Sequence, residues 1–493
     1  MTIYLSIILF LPLAFGLLAM FVPRELAGWT YVAGTVLTLA YSIVMLARFK
    51  TGAGMQFITD DNWISELGIR YSLGVDGLNL FLIILTALLW VPASIAAALR
   101  EWDRPRLFMF FMGLGQTAVL GAFMAQDLAL FVVFFDLMLV PFYFLVGMWG
   151  GEDRVYATTK LVIYTLVGSL LMLAAAVALG VMSTPAGGHI SFSFATLAQH
   201  PLSAGSQYWL FLLFAFAFLV KAPAFPLHGW MPDAYRQAPL PVILVFSAVV
   251  SKVGVYGFLR IVLPLLPQAS VHFQELMLAF AVVSILYGSV LAFSQDEARL
   301  VVGYSSIAQL GFILLGIFSL DPKGGQGAVM QMVNHGLVVG PLFLIIGYLA
   351  IRAHGRESLD WMGGMAFRAP VLAAVFLIVA LATLAMPGSA NFVGELYILF
   401  GTFQSKLVYG LVASAGVALA AVYMIRFFQR SMHNPVNPQV ESRDLVLGPE
   451  LGVIAPLVLI ILVLGVYPNF LLHRINAFAP VTDRVPQVAV LNK

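Results

Sequence analysis

The sequence predicts an all-α polytopic membrane protein of about 14 transmembrane helices, arranged as two inverted five-helix units with discontinuous helices. Three observations predict it. Of 493 residues, 61% are hydrophobic and only 10% charged, a composition outside the soluble globular class. Apolar runs of about 20 residues, the length that spans hydrocarbon, recur along the chain. Two of these runs are interrupted at membrane depth, one by Pro223, Pro226, Pro232, Pro239 and Pro241, the other by MPGSANFVG, Met386 to Gly394. Non-helical backbone survives at that depth only when buried in protein or lining a wet cavity.

The first run, 3–22, has no basic residue ahead of it and no small-residue cleavage site, so it reads as a span and not a removable signal. Pro23 and Arg24 separate it from 28–48. After a polar connection, 49–72, the spans 78–99 and 106–123 follow, then 126–149, which touches its predecessor through only Met124 and Ala125. Next come 160–182, the interrupted run 208–236, and 240–262. The acidic and basic residues of QDEAR separate 273–293 from 299–319, and DPKGG introduces 326–352. The second interrupted run, 370–404, leads to 407–430 and, past the polar stretch 431–450, to 451–472. Corresponding interruptions five helices apart point to inverted repeats with a site at midplane. The division is therefore 1–105, three helices; 106–262 and 273–430, the two five-helix units; and 431–493, a loop, the last helix and a tail.

Basic residues in the loops orient the chain. Fourteen lie opposite the termini and nine on the terminal side, which with Lys221 and Lys252 account for all 25. Both termini are expected outside, on the periplasmic side of a bacterial inner membrane. A net charge of +2 gives no reason to expect nucleic acid, and the absence of cysteine excludes a disulfide or thiolate-held cluster within the chain.

Five ionisable residues fall where hydrocarbon is expected: Asp136, Lys221, Lys252, His335 and Glu395. A charge there is expensive and is by default a functional hypothesis. Lys221 ends fourteen residues, from Trp209, that contain no other polar group, which argues against a lysine reaching back to an interface. Lys252 precedes VGVYG, whose small residues allow close helix approach. Asp136 needs a partner or a proton; with Lys221 at 4 Å and an effective dielectric near 20 the attraction is about 4 kcal/mol, falling to about 2.8 at 6 Å. Such a pair would act as a gate. Glu395, in the second interruption, is expected to take there the place that Lys221 takes in the first. His335 suits a relay, although a histidine on an apolar face is ordinarily just hydrogen-bonded. His228 reads as structural, and Ser305 and Ser306 as interhelical glue.

Six motifs together resemble the antiporter-like proton-pumping subunits of respiratory complex I, over nearly the whole chain. They are LGVDGLNLF (Leu73 to Phe81), FFDLMLVPFYFLVGMWGGEDRVYATTK (Phe134 to Lys160), KAPAFPLHGWMPDA (Lys221 to Ala234), SKVGVYGFLR (Ser251 to Arg260), GYSSIAQLGF (Gly303 to Phe312) and MPGSANFVGELYILFG (Met386 to Gly401). The resemblance implies fourteen helices with the seventh and twelfth broken. It makes Lys221 the seventh-helix lysine, Lys252 the eighth-helix lysine, Asp136 the fifth-helix acid, His335 the eleventh-helix histidine and Glu395 the twelfth-helix terminal residue. Glutamate at that last position resembles the M-type subunits; the L and N types have lysine. Three positions depart from the family pattern. Asp136 replaces the usual glutamate, Tyr235 stands where histidine follows the WLPDA-like motif, and Gln309 stands where histidine is common.

The resemblance implies a membrane-arm subunit of NADH:quinone oxidoreductase that moves protons through Lys221, Lys252 and His335 to Glu395. Its partners would be the neighbouring L and N subunits and lipid. It would hold no cofactor, flavin and iron–sulfur clusters belonging to other chains; no dinucleotide fingerprint or P-loop occurs. Two alternatives stand beside it: a subunit of a multi-subunit cation/proton antiporter, and a structural spacer between active neighbours.

Overall fold

The computed structural model describes residues 3–185, 187–435, 437–441, 443–446 and 448–475. Among these described residues, eleven helices are long and apolar enough to cross a membrane, and a twelfth if Leu451–Val466 and Asn469–Ile475, bent by 73° at their junction, form one span. Two shorter apolar helices, Leu5–Phe21 and Pro370–Thr383, complete the apolar set. The tail from 476, with Arg484 and Lys493 of the charge count, lies outside the described residues.

One expectation is corrected at once: the chain is not all-α. The connection after the second helix folds into an antiparallel hairpin, β1 (Gln56–Ile64) with β2 (Ile69–Val75). Its turn passes through Gly68 at φ 67°, in the left-handed region that favours glycine. Polarity concealed it, because β1 is mostly exposed and carries Thr59, Asp60, Asp61 and Asn62 in succession. The next connection carries a short helix, Phe194–Gln199.

Burial sorts the helices. Leu240–Leu265 and Pro322–Arg352 are buried around their whole circumference, and Ala298–Phe318 nearly so. Helices apolar on every side belong in such a core. Arg24–Arg48, Arg154–Met182 and Leu407–Met432 keep only one face inside and leave apolar side chains such as Ile163, Leu170 and Leu411 exposed. The Leu240–Leu265 helix is irregular: two wide π-turns, Phe246–Val250 and Phe258–Val262, flank the α-helical turns that carry Lys252.

Two arginines expected in loops are buried at helix ends and neutralised. Arg260 makes a two-pronged contact with Asp76 at 2.8 Å on each oxygen, and its Nε donates to Tyr256 at 2.9 Å. Asp76 also accepts from the Leu78 and Asn79 backbone, and Asn79 in turn ties Gly74 to Phe123. Arg352 binds Glu450 at 2.9 Å and donates to the Arg443 and Asp444 carbonyls. Each pair pins the end of a core helix to a distant connection.

Asp127 joins the hairpin to the helix that follows it, accepting from Leu130 N at 3.0 Å and Arg70 N at 3.4 Å. Burial pushes its carboxyl up to about 6. An acid raised in the folded state holds its proton more tightly there than when unfolded, so its contribution to stability declines as pH climbs from about 4 to about 6. Relative to wild type, Asp127→Asn should therefore gain thermal stability across that interval, measured as the difference in melting midpoints. A constant difference would contradict this. Removing one member of the Arg260–Asp76 pair should cost about 3–5 kcal/mol, because the other charge is left buried. In thermal denaturation, Asp76→Asn combined with Arg260→Met should be milder than the sum of the two single changes.

Candidate functional site

The helix Ala204–Lys221 ends at Lys221 because Ala222 leaves helical geometry and Pro223 has no amide hydrogen to continue the ladder. Helix resumes only at Met231 and runs to Gln237. Side chains from elsewhere satisfy the freed backbone: Trp230 Nε1 donates to Val220 O at 2.9 Å, and Phe225 N donates to Ser284 Oγ at 2.9 Å. The break is thus held in protein, as a bilayer requires.

Lys221 is 6% exposed, and its Nζ lies 4.8 Å from the centre of the Phe135 ring. Among the described residues no carboxylate comes within 4.0 Å of it. Asp136, the neighbour of Phe135, is near enough to act on Lys221 through its charge but does not touch it. The Asp136 Oδ1 is buried without a hydrogen-bond partner. Two residues beyond Asp136 the helix Leu128–Trp149 loses its regular ladder at Met138.

Lys252 is wholly buried. Its Nζ donates to the Ser247 carbonyl at 2.9 Å and to Ser251 Oγ at 3.4 Å, and the Ser251 hydroxyl donates to the same carbonyl at 2.8 Å. The carbonyl lies in the first π-turn, a feature frequent at functional sites. Lys252 has no carboxylate partner within 4.0 Å either. His335, also wholly buried, lies within range of the Lys252 charge, and neither ring nitrogen has a hydrogen-bond partner.

Glu395 departs from its expected place. Lys221 is the last residue before its break, whereas Glu395 lies in the helix after the second break, Ala390–Ser405. Helical packing around it leaves the side chain 3% exposed. Oε1 accepts from Gln309 Nε2 at 2.8 Å and Gln331 Nε2 at 3.4 Å, and Gln331 Nε2 also donates to Gln309 Oε1 at 2.7 Å. The Tyr423 hydroxyl nearby is buried without a partner.

Sequence reasoning missed three members of this group, Gln331, Asn334 and Asn391. Gln331 and Asn334 stand with His335 at i, i+3 and i+4, one face of the Pro322–Arg352 helix. Asn334 Nδ2 donates to Ala390 O at 2.6 Å, and Asn391 is buried with both its amide oxygen and nitrogen unpartnered. The available signal was the amide spacing in MQMVNHG within an apolar run. Gln309, noted only as a departure, is the bridge to Glu395. Tyr235 instead packs its ring against Phe246 and Phe343. Ser305 and Ser306 both donate to Val302 O in their own helix, and Ser306 also meets Ser247 at 3.4 Å. His228, inside the first break, packs against Tyr287 with its Nδ1 unpartnered, and just beyond the break Lys160 pairs with Asp233 at 2.7 Å.

The interior holds proton-bearing groups in three parts: Lys221 near Asp136, Lys252 near His335, and Glu395 with the Gln309 and Gln331 amides. Close packing holds the first two parts together. A Cβ on Gly254 would come 2.6 Å from Phe218 O and 2.8 Å from Ala222 N, both backbone atoms at the Lys221 break.

The family profile described as "NADH:quinone oxidoreductase/Mrp antiporter, TM" matches residues 125–420. The chain is 37% identical to "NADH-quinone oxidoreductase subunit M" of Rhodobacter capsulatus over 488 residues, covering 96% of this chain and 94% of that one. It superposes on a chain of respiratory complex I from Thermus thermophilus with TM-score 0.88 and 31% identity, covering 97% and 99% of the two chains. A chain of the Mrp complex from Dietzia sp. shares the fold at TM-score 0.83 and 20% identity, covering 96% of each.

Gly254→Ala should cost about 1–3 kcal/mol by forcing the Lys252 helix away from the break. Gly205→Ala, where nothing lies within 4 Å, is the control and should be neutral or stabilising. Equal melting midpoints for the two variants would refute the close approach.

Proposed function

Because this chain belongs to the NADH:quinone oxidoreductase/Mrp antiporter transmembrane family, we propose that it is a proton-translocating membrane-arm subunit of NADH:quinone oxidoreductase, of the subunit M type. One observation carries the reading. Its buried lysines, Lys221 and Lys252, have no carboxylate within 4.0 Å among the described residues, whereas its buried arginines, Arg260 and Arg352, are each matched to one. Arginine cannot release its proton at ordinary pH, but a buried lysine can. The unpaired groups are those able to hand a proton on.

In this reading a proton taken up from the cytoplasm passes by way of Lys221, Lys252 and His335 to Glu395. Water in the polar interior bridges the unpartnered His335, Asn334 and Asn391 atoms. Asp136 sets how firmly Lys221 keeps its charge: closing from about 6 Å to about 4 Å strengthens the attraction by about 1.4 kcal/mol, tenfold in an equilibrium. Moving one charge across the membrane requires about 2.3 kcal/mol per 100 mV. That work comes from electron transfer in partner chains, which hold the flavin and iron–sulfur clusters.

The same reading takes Leu5–Phe21 as a span and joins Pro370–Thr383 to Ala390–Ser405 as one broken span, which makes fourteen helices in two inverted units. Both termini then face the periplasm, and the L- and N-type subunits are the neighbours. The antiporter reading keeps the fold in common with the Mrp chain, but at 20% identity that likeness concerns fold alone.

In the assembled complex, Lys221→Ala should lower NADH-driven proton pumping by roughly 100-fold or more, the scale of a lost proton-transfer group. Glu395→Gln, which preserves the Gln309 contact in shape, and Asp136→Asn should each impair it. Full pumping in a Lys221→Ala complex of normal composition would leave this chain a spacer. Flavin and iron–sulfur absorption in co-purifying chains is expected; their absence from the intact native assembly would favour an antiporter.

A further inference from the structure

Four helix ends meet beside the Arg352–Glu450 pair: the C-termini of Leu80–Ala98 and Pro322–Arg352 and the N-termini of Leu240–Leu265 and Leu451–Val466. Between them opens a cavity of about 290 Å³. Its walls are aliphatic, including Leu240, Leu344, Ile351 and Val453, and its rim carries Arg100 and Arg443. Both arginines are exposed, and among the described residues neither has a carboxylate within 4.0 Å. The other polar groups at the rim are already engaged: Glu450 by Arg352, and the Tyr348 hydroxyl by the Glu450 carbonyl. Arg100 also borders a second hollow, of about 390 Å³, with Arg24, Glu25 and Glu101.

We propose that this cavity is a binding site for one anionic phospholipid, its phosphate held by Arg100 and Arg443 and an acyl chain lying along Leu240, Leu344 and Val453. Helix ends mark the level where a bilayer's headgroups lie, and basic pockets between spans at that level recognise anionic heads. A soluble phosphate would use the arginines but has no use for the apolar walls. A zwitterionic lipid would use the walls but gains little from two unmatched cations. Only an anionic lipid uses both.

The test employs the assembled complex and a phosphatidylglycerol analogue with a photoreactive headgroup. Crosslinks should map to peptides holding Arg100 and Arg443. Unlabelled phosphatidylglycerol should compete, while phosphatidylcholine and inorganic phosphate at equal concentration should not. Arg100→Gln with Arg443→Gln should weaken capture at this site by roughly 30-fold, and each single change by roughly fivefold. Equal competition by phosphatidylcholine would reduce the site to ordinary lipid contact, and competition by phosphate would make it a free-anion site; either overturns the proposal. So would undiminished labelling of the double variant, or a crosslink from Arg443 to an acidic partner segment occupying the groove in the intact complex. Because neither arginine belongs to the proton route, NADH-driven pumping in the double variant should match wild type at saturating lipid. Loss of pumping with lipid capture intact would likewise reject the assignment.

Discussion

Removing a charge from water is the most expensive local event in this fold, and the chain meets it in two ways. At the ends of its two most deeply buried helices it uses arginine with a carboxylate, Arg260 with Asp76 and Arg352 with Glu450. Such pairs hold connections to helices. In the interior it uses lysine, histidine and glutamate without opposite charges in contact. Groups of this second kind can lower their own desolvation penalty by giving up or taking on a proton. The same penalty that makes the first set structural makes the second set labile.

Backbone irregularity follows the labile groups. Lys221 ends a helix, Glu395 lies past another break, and Lys252 stands between two π-turns whose first supplies the carbonyl it binds. A regular helix commits every carbonyl to its own ladder, so a buried lysine in one would find only apolar neighbours. The first π-turn offers such a carbonyl, that of Ser247, to Lys252. Glycine completes the arrangement where helices meet. Gly254 brings the Lys252 helix against the Lys221 break, and Gly336, next to His335, brings its helix against the Ala248 carbonyl.

The parts of this design that depend on composition were legible in the sequence. Hydrophobic runs placed the helices to within several residues, proline marked the break after Lys221, and isolated charges drew attention to Lys221, Lys252, His335 and Glu395, all of them buried. What depends on who faces whom was not. The hairpin at Gln56–Val75 has a first strand too polar to stand out. Arg260 and Arg352 read as loop charges because nothing local to either names Asp76 or Glu450, which are 184 and 98 residues away. Gln331, Asn334 and Asn391 were overlooked because uncharged amides in an apolar run draw no notice until their shared face is seen. Glu395 was assigned to the right interruption but to the wrong side of it, since a sequence shows where a helix breaks more clearly than which half carries the side chain.

The open Asp136–Lys221 arrangement limits what that pair can do. Closing such a pair from about 6 Å to about 4 Å is worth about 1.4 kcal/mol at an effective dielectric near 20. Carrying one charge through 100 mV needs about 2.3 kcal/mol. The pair therefore cannot drive a proton against even a modest potential; it can only decide when Lys221 holds one. A decision of that size is well suited to control, because a shift of about 2 Å in one side chain changes an equilibrium tenfold. The Phe135 ring, 4.8 Å from the ammonium, offers it a stabilising face. Under the proposed function, energy for transport enters from outside the chain, and the buried groups from Lys252 to Glu395 would supply only the path.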